Sequence, residues 1–251
     1  MLCFRSMLIS ASLVALAGVT APAVSADIIQ TFSVTNAYVG DGTNLANATI
    51  AFDVSAVSNT ISVTITNASV MHASNELLRS VSFGVQTNGS TAPSSPSDLA
   101  LYNGQSVTAA SDGTATTTPL SGFSALGSNA WTISSSTTGP GNANTFLLTS
   151  SGPKYLVIGP SPYIDANSSI DGNNAHSVFL GNSPTFTFHL QNLAIADSIN
   201  NVVIGFGTGS DVVSASLFNS TTVTVPETST LALLAVCSSL LLVRRRRPLP
   251  A

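Results

Sequence analysis

Hydrophobic and polar residues alternate one by one along several short stretches of this chain. In ATIAFDV (48–54), the side chains of Ile50, Phe52 and Val54 fall on one side of an extended backbone. A period of two, carried by β-branched and aromatic residues, predicts half-buried β-strands rather than helices. The same pattern predicts further strands at 60–66, 80–86, 185–191, 201–207 and 222–225.

Clusters of Asn, Gly, Ser and Pro separate these stretches, as in YVGDGTN (38–44) and in 86–98. Only 71–80 has the composition of a short helical turn, and no segment resembles the crossover helix of a parallel sheet. The Ser/Thr/Gly-rich segment 109–145 predicts long connections with one or two strands, or a partly disordered insertion. Residues 219–225 are interpreted as a final strand or an extended linker. The fold class that follows is all-β, an antiparallel β-sandwich of jelly-roll or immunoglobulin-like kind.

The first 26 residues are organised like a secretory signal peptide. Arg5 supplies a positive charge, an apolar run extends over 7–19, and Val24-Ser25-Ala26 places small residues before a cleavage site. We therefore expect cleavage after Ala26, which leaves Asp27 as the first mature residue after export by the general secretion machinery. An uncleaved N-terminal membrane helix is the alternative.

A second apolar run, 230–243, is followed by four consecutive arginines: Arg244, Arg245, Arg246 and Arg247. Counted as a helix from Ser229, the run rises about 22 Å, which is short of the ~30 Å hydrocarbon core of a bilayer. Because flanking residues and local thinning compensate for a short span, we expect transient membrane insertion. The positive-inside rule predicts that the arginines stay in the cytoplasm. A permanent C-terminal anchor is the alternative.

Between the two termini, residues 27–224 are expected to form the folded, secreted domain. Two basic residues, Arg79 and Lys154, stand against ten acidic ones there, so the net charge is −8. An anionic domain without a basic patch is unsuited to binding nucleic acid. The chain's two cysteines, Cys3 and Cys237, lie in the terminal segments. Disulfides are therefore not expected to hold the domain, and packing of the core must do so.

The polar residues of the domain match no catalytic motif. The three histidines, His72, His176 and His189, occur at no metal-binding spacing, and His189 falls on the polar side of its strand. No G-x-S-x-G nucleophile motif is present, and GFGTGSD (205–211) lacks the spacing of a dinucleotide-binding loop. We therefore expect no enzymatic activity and no cofactor.

One polar stretch, YIDANSSIDGNNAHS (163–177), is rich in the oxygen ligands that Ca²⁺ prefers. The EF-hand pattern fails because Ile170 occupies the position of its glycine. Asp and Asn are also ordinary turn residues, so a solvated turn is the favoured interpretation. The weak calcium candidates are Asp165, Asn167, Asp171 and Asn173.

The last residues, 225–251, resemble the PEP-CTERM sorting signal of exported bacterial proteins that are processed by exosortase. That signal combines a Val-Pro-Glu-Pro-like motif, an apolar span that often begins Ser-Thr-Leu-Ala-Leu-Leu, and an arginine cluster. This chain has VPETSTLALL at 225–234 and RRRR at 244–247, with Thr228 where the second proline is usual. The resemblance implies a sorting and processing motif formed by Val225, Pro226, Glu227, Thr228 and Ser229.

The resemblance also implies a destination and partners. It implies processing by an exosortase-type membrane enzyme and a final location on the cell surface or in the extracellular matrix of a biofilm, in association with exopolysaccharide. A sortase-type signal is an alternative, although Val225 and Ser229 replace the leucine and glycine of its Leu-Pro-x-Thr-Gly motif. The Ser/Thr-rich segments 86–98 and 109–145 suit attachment of glycans.

A carbohydrate-binding or adhesive β-sandwich module is the second functional hypothesis. Such modules commonly bind sugars with exposed aromatic rings, although each ring of this domain also suits a packing role. The candidates are Tyr38, Tyr102, Trp131, Tyr155 and Tyr163.

Overall fold

The computed structural model describes residues 25–40, 42–86, 95–136, 144–170, 178–181, 183–194, 197–207 and 211–225. Within these residues the chain forms β-strands and two 3-10 segments, Ser74–Glu76 and Phe123–Asn129, but no α-helix. The strands are β1 (Ser25–Val39), β2 (Asn44–Ser55), β3 (Thr60–Asn67), β4 (Leu78–Gln86), β5 (Ser97–Tyr102), β6 (Gln105–Ala109), β7 (Ala115–Pro119), β8 (Trp131–Ser136), β9 (Asn144–Ser150), β10 (Phe179–Gly181), β11 (Thr185–His189), β12 (Ser198–Phe206), β13 (Asp211–Ser214) and β14 (Ser216–Val225).

The strands form two large sheets and one small sheet. The six-stranded sheet has the order β14-β1-β2-β3-β11-β5, and the five-stranded sheet has the order β13-β12-β4-β9-β8. A three-stranded sheet, β10-β6-β7, joins the five-stranded one through Val157, which bridges to Leu78 and Leu180. All neighbouring strands pair antiparallel. The expected antiparallel, sandwich-like all-β architecture is confirmed.

Each alternating stretch of the sequence corresponds to a strand of this architecture, although β11 ends at His189 and β12 at Phe206, before the predicted ends at 191 and 207. In β3, Ile61, Val63 and Ile65 are buried while the residues between them are partly exposed, as the period of two predicts. The expected helical turn is the 3-10 segment Ser74–Glu76. Residues 219–225 belong to β14, so the strand and not the linker is confirmed. The described part of 109–145 contains β7, a 3-10 segment and β8, together with the last residue of β6 and the first two residues of β9.

The sequence pattern missed β1. Ile28 and Ile29 are adjacent, and the next residue facing the core is Gln30, so the alternation of hydrophobic residues is interrupted. Gln30 is buried because its amide completes backbone hydrogen bonds of the opposite sheet. Its Nε2 donates to the Ile199 carbonyl (3.3 Å), and its Oε1 accepts from the Ile199 N–H (2.6 Å). A buried polar side chain is stable only when its partners are in place, so Gln30 joins the two sheets at one position.

Phenylalanine rings fill the space between the two large sheets. Phe52 of β2 and Phe83 of β4 come from opposite sheets, and their ring centroids are 4.9 Å apart. Phe83 also lies 5.7 Å from Phe146 and 6.2 Å from Phe188. At another position between the sheets, the ring of Trp131 packs 4.8 Å from Phe186. These distances lie in the range of favourable aromatic pairs.

A second hydrophobic cluster lies against the three-stranded sheet. It consists of Met71, Leu77, Val107, Ala109, Leu156, Ile158, Tyr163, Ile170 and Phe179. These residues come from β6, β10 and the loops at 71–77 and 156–170, so the cluster anchors loops that would otherwise have no core of their own. This packing positions the cleft described below.

Residues Ser25–Val225 form one compact unit. Because β1 begins at Ser25, the predicted cleavage site between Ala26 and Asp27 lies within the first residues of this strand. Among the residues described, no helix reaches the length and apolarity that a bilayer crossing requires. The predicted apolar helix at 230–243, and all but the last two residues of the predicted signal peptide, lie outside the described residues.

We expect Phe83→Ala to lower the free energy of unfolding by about 3–5 kcal/mol, because it removes a buried ring that contacts three others. Urea denaturation followed through the fluorescence of the single tryptophan, Trp131, measures this. Phe218→Ala is the matched control: that ring is 76% exposed, so its loss should change stability by no more than about 0.5 kcal/mol. Equal losses in the two variants would contradict the assigned core.

Candidate functional site

The two ends of the compact unit meet on neighbouring strands. Ser25 at the start of β1 pairs with Val225 at the end of β14, and Asp27 pairs with Val223. The predicted cleavage site and the first residue of the predicted sorting motif therefore lie side by side at one end of the six-stranded sheet. The other motif residues, Pro226 to Ser229, and the arginines at 244–247 lie outside the described residues.

A cleft of about 400 Å³ lies beside the three-stranded sheet. Its walls come from the end of β3, from β6 and β7, and from the segment 157–163. Its lining includes hydroxyl and amide side chains from Thr66, Gln105, Thr117, Ser161 and Ser183. The surface is therefore built from five separate parts of the chain and exists only in the folded state.

Buried hydrogen bonds hold the floor of this cleft. The Asn67 Nδ2 group donates to the carbonyls of Glu76 (2.8 Å) and Val157 (2.9 Å). The Tyr163 hydroxyl donates to the Gly159 carbonyl (3.1 Å). A Cβ atom on Gly159 would overlap the Ser69 carbonyl oxygen, so only glycine fits this close approach.

Among the residues that the structure describes, the lining of the cleft carries no Asp, Glu, Lys, Arg or His side chain. Burial raises the pKa of Tyr163 to about 12, so the phenol stays neutral at physiological pH. Apolar side chains of Val107, Val157 and Ile158 also line the cleft. Such a surface offers hydrogen bonds and apolar contact without charge, which suits a neutral, hydroxyl-rich ligand.

The structure separates the five aromatic candidates of the sequence. Trp131 and Tyr163 are buried, and Tyr155 is partly buried, so these three rings pack inside the domain. Tyr38 and Tyr102 are exposed, at 70% and 56%. They lie on β1 and β5, which are not neighbours in the sheet, so they do not form one aromatic platform. Sequence reasoning missed the cleft because its residues share no local pattern.

Of the four calcium candidates, only Asp165 and Asn167 belong to the described residues; Asp171 and Asn173 lie outside them. The Asn167 side-chain oxygen accepts a hydrogen bond from the Ser169 N–H (2.9 Å), as in an Asx turn. The Asn167 N–H donates to the His72 carbonyl (2.7 Å). In the part of the chain that the structure describes, no three His, Cys, Asp or Glu side chains come together.

A histidine–glutamate pair stabilises the 3-10 turn near this loop. Glu76 is fully buried, and its carboxylate accepts hydrogen bonds from the N–H groups of His72 and Ala73 and from His72 Nδ1 (3.0 Å). The hydrogen bond with Glu76 raises the pKa of His72, and the charges of Glu76 and Asp165 add to this. The spacing of four residues was the only sequence signal for this pair. His189 is exposed on β11, as expected, and His176 lies outside the described residues.

Comparisons of the chain with protein-family models, with curated proteins and with solved structures find no match.

The raised pKa of His72 predicts a pH-dependent stability. The folded chain binds the His72 proton more tightly than the unfolded chain does. Protonation therefore stabilises the fold, and this stabilisation is complete below the ordinary histidine pKa of 6.5. This stabilisation is lost as the pH rises through the pKa that His72 has in the folded chain. The difference in free energy of unfolding between the native chain and His72→Gln should therefore shrink from about pH 5.5 to about pH 8.5. Urea titrations at both pH values measure it, and a difference that grows would contradict the pairing.

Proposed function

We propose that this protein is an exported bacterial surface or extracellular-matrix protein, processed at its C-terminus by an exosortase-type membrane enzyme and without catalytic activity of its own. Export uses the general secretion machinery, and the predicted C-terminal helix inserts transiently in the inner membrane. Final location on the cell surface or in a biofilm matrix, in contact with exopolysaccharide, follows from the resemblance of 225–251 to the PEP-CTERM signal.

The observation that carries this proposal is the pairing of Asp27, the expected first mature residue, with Val223 near the end of β14. This pairing places the two ends of the processed domain next to each other. Such a placement suits a protein whose N-terminal and C-terminal segments are each processed at the same membrane. The buried residues of both cores lie between Phe32 and Phe206. Removal of 1–26 and of the residues after 229 therefore takes away no residue of these cores.

The architecture and the charge of the domain agree with this role. Consecutive strands cross repeatedly between the two large sheets, as between β3 and β4, β11 and β12, and β13 and β14. We propose on this basis that the sandwich is of the jelly-roll or immunoglobulin-like kind. The domain's net charge of −8 supports an extracellular role without nucleic acid as partner.

The intact mass of the protein recovered from the producing bacterium tests the processing. We expect a chain that begins at Asp27 and ends within 225–229, because the predicted processing removes both terminal segments and takes only Ser25 and Ala26 from the compact unit. C-terminal peptide mapping locates the new end, and mass that remains on it distinguishes attachment from release. Recovery of peptides that reach Arg244 would instead identify a permanent anchor and contradict exosortase processing.

The cleft favours a second candidate function, the binding of neutral carbohydrate. Sugars present many hydroxyl groups and apolar ring faces, and the cleft lining offers hydroxyls, amides and apolar side chains without charge. A matrix protein with such a cleft would bind polysaccharide chains directly. This role is compatible with the first proposal, because the cleft and the paired chain ends involve different strands.

We expect neutral oligosaccharides of glucose, galactose or mannose to bind with measurable heat in calorimetry, and Thr117→Trp to abolish that heat by filling the cleft. Thr117 is an exposed cleft residue on β7. The matched control is Thr132→Trp, an exposed threonine on β8 outside the cleft, which should leave binding unchanged. Absence of heat with every neutral sugar, or equal binding by both variants, would exclude the cleft as a carbohydrate site.

A further inference from the structure

The outer edge of β14 is a long strand edge on which no other described strand pairs. Seven consecutive residues, Asn219–Val225, pair in unbroken register with β1 on the inner side. On the outer side the strand presents its remaining backbone N–H and C=O groups. Such an edge is a template for another strand, and proteins usually protect it with charge, proline, bulges or short length.

The side chains of β14 are unusually open for a strand that borders a core. All six residues 216–221 are exposed. Leu217 is 53% exposed although it pairs with Phe32, a core residue of only 4% exposure. Phe218 is the extra residue of a β-bulge and is 76% exposed. Within the described structure, the apolar side chains of Leu217 and Phe218 are left largely uncovered at this edge of the sandwich.

Apart from its bulge at Phe218, β14 lacks the protection that the other described edges carry. β5 has six residues and includes Asp98 in a left-handed conformation (φ 55°). β7 ends at Pro119, and β13 has only four residues and begins at Asp211. β8 has six residues, against ten in β14. From Val212 to Val225 the chain has no charged residue, proline or glycine.

We propose that β14 is a self-association edge, on which a second copy of this chain adds its own β14 in antiparallel orientation. A two-fold axis near Thr221 pairs Leu217 of each copy with Val225 of the other, so the two six-stranded sheets join into one. The second copy is the favoured occupant because an edge strand pairs with another free edge strand, and each copy carries the same uncharged one, which makes the contact self-complementary. An anionic domain can approach its copy most easily along a charge-free strand.

This inference does not depend on the export proposal. It predicts that the protein recovered from the bacterium, whether or not its ends have been processed, sediments as a dimer that dissociates on dilution. Higher salt should favour the dimer, because it screens the repulsion between two bodies of net negative charge.

Sedimentation velocity of three chains tests the proposal. Thr221→Lys places like charges opposite each other at the axis and should convert the dimer to monomer. Thr116→Lys adds the same charge to an exposed position of another edge strand, β7, and should leave the dimer intact. Circular dichroism establishes that each variant is folded. A native chain that is monomeric at every concentration and salt, or a dimer that survives Thr221→Lys, would overturn the proposal.

An independent measurement uses a disulfide. In a full-length chain with Cys3 and Cys237 replaced by serine, Thr221→Cys provides the only thiol. Directly opposed residues of antiparallel strands have Cα atoms about 4.5–5.5 Å apart, which a disulfide can bridge. Oxidation in intact cells should give a reducible dimer on a gel, whereas Thr116→Cys should remain monomeric. Equal dimer from both variants would reflect random collision and would contradict the proposed axis.

Discussion

The contact of Phe83 with three other phenylalanine rings is the interaction on which the rest of this fold depends. Phe83 belongs to the five-stranded sheet, whereas Phe52 and Phe188 belong to the six-stranded sheet, so the contacts join the two layers directly. Both cysteines lie outside the compact unit, and only 7% of the whole chain is charged. Disulfides are therefore excluded within the unit and ion pairs are limited by composition, so burial of apolar area between the sheets must supply most of the stability.

Buried polar side chains give this core its specific geometry. Gln30 binds the backbone of Ile199 across the two large sheets, and Asn67 binds the carbonyls of Glu76 and Val157 beneath the cleft. An apolar residue of similar volume would fill either position without specifying which backbone groups come together. Because an unpaired amide in these places costs free energy, the hydrogen bonds select one arrangement of strands and loops. The floor of the cleft is a consequence of this selection.

The six-stranded sheet combines two properties at one edge. β14 is the last strand of the compact unit, it leads into the predicted sorting motif, and it pairs with the strand that follows the predicted signal peptide. The same strand also has the longest uncharged edge of the described sheets. In the two proposals, processing at the membrane and association between copies therefore both take place at β14. The cleft lies on other strands and is available for a separate ligand.

The amino-acid sequence by itself determined the type of most long strands, and it predicts two terminal signals. Strands such as β3 follow from alternation over a few neighbouring residues, and the resemblance of 225–251 to a sorting signal is likewise local. β1 was missed because Gln30 faces the core, and only its partner Ile199, distant in sequence, explains that burial. Sequence also gave no reason to distinguish TVTV of β14 from TISVTIT of β3, although one strand is at an edge and the other is central. Tertiary structure alone decided the sheet order, the cleft and the open edge, because these depend on which distant segments pack together, and local periodicity specifies only that a segment is extended and which side is buried.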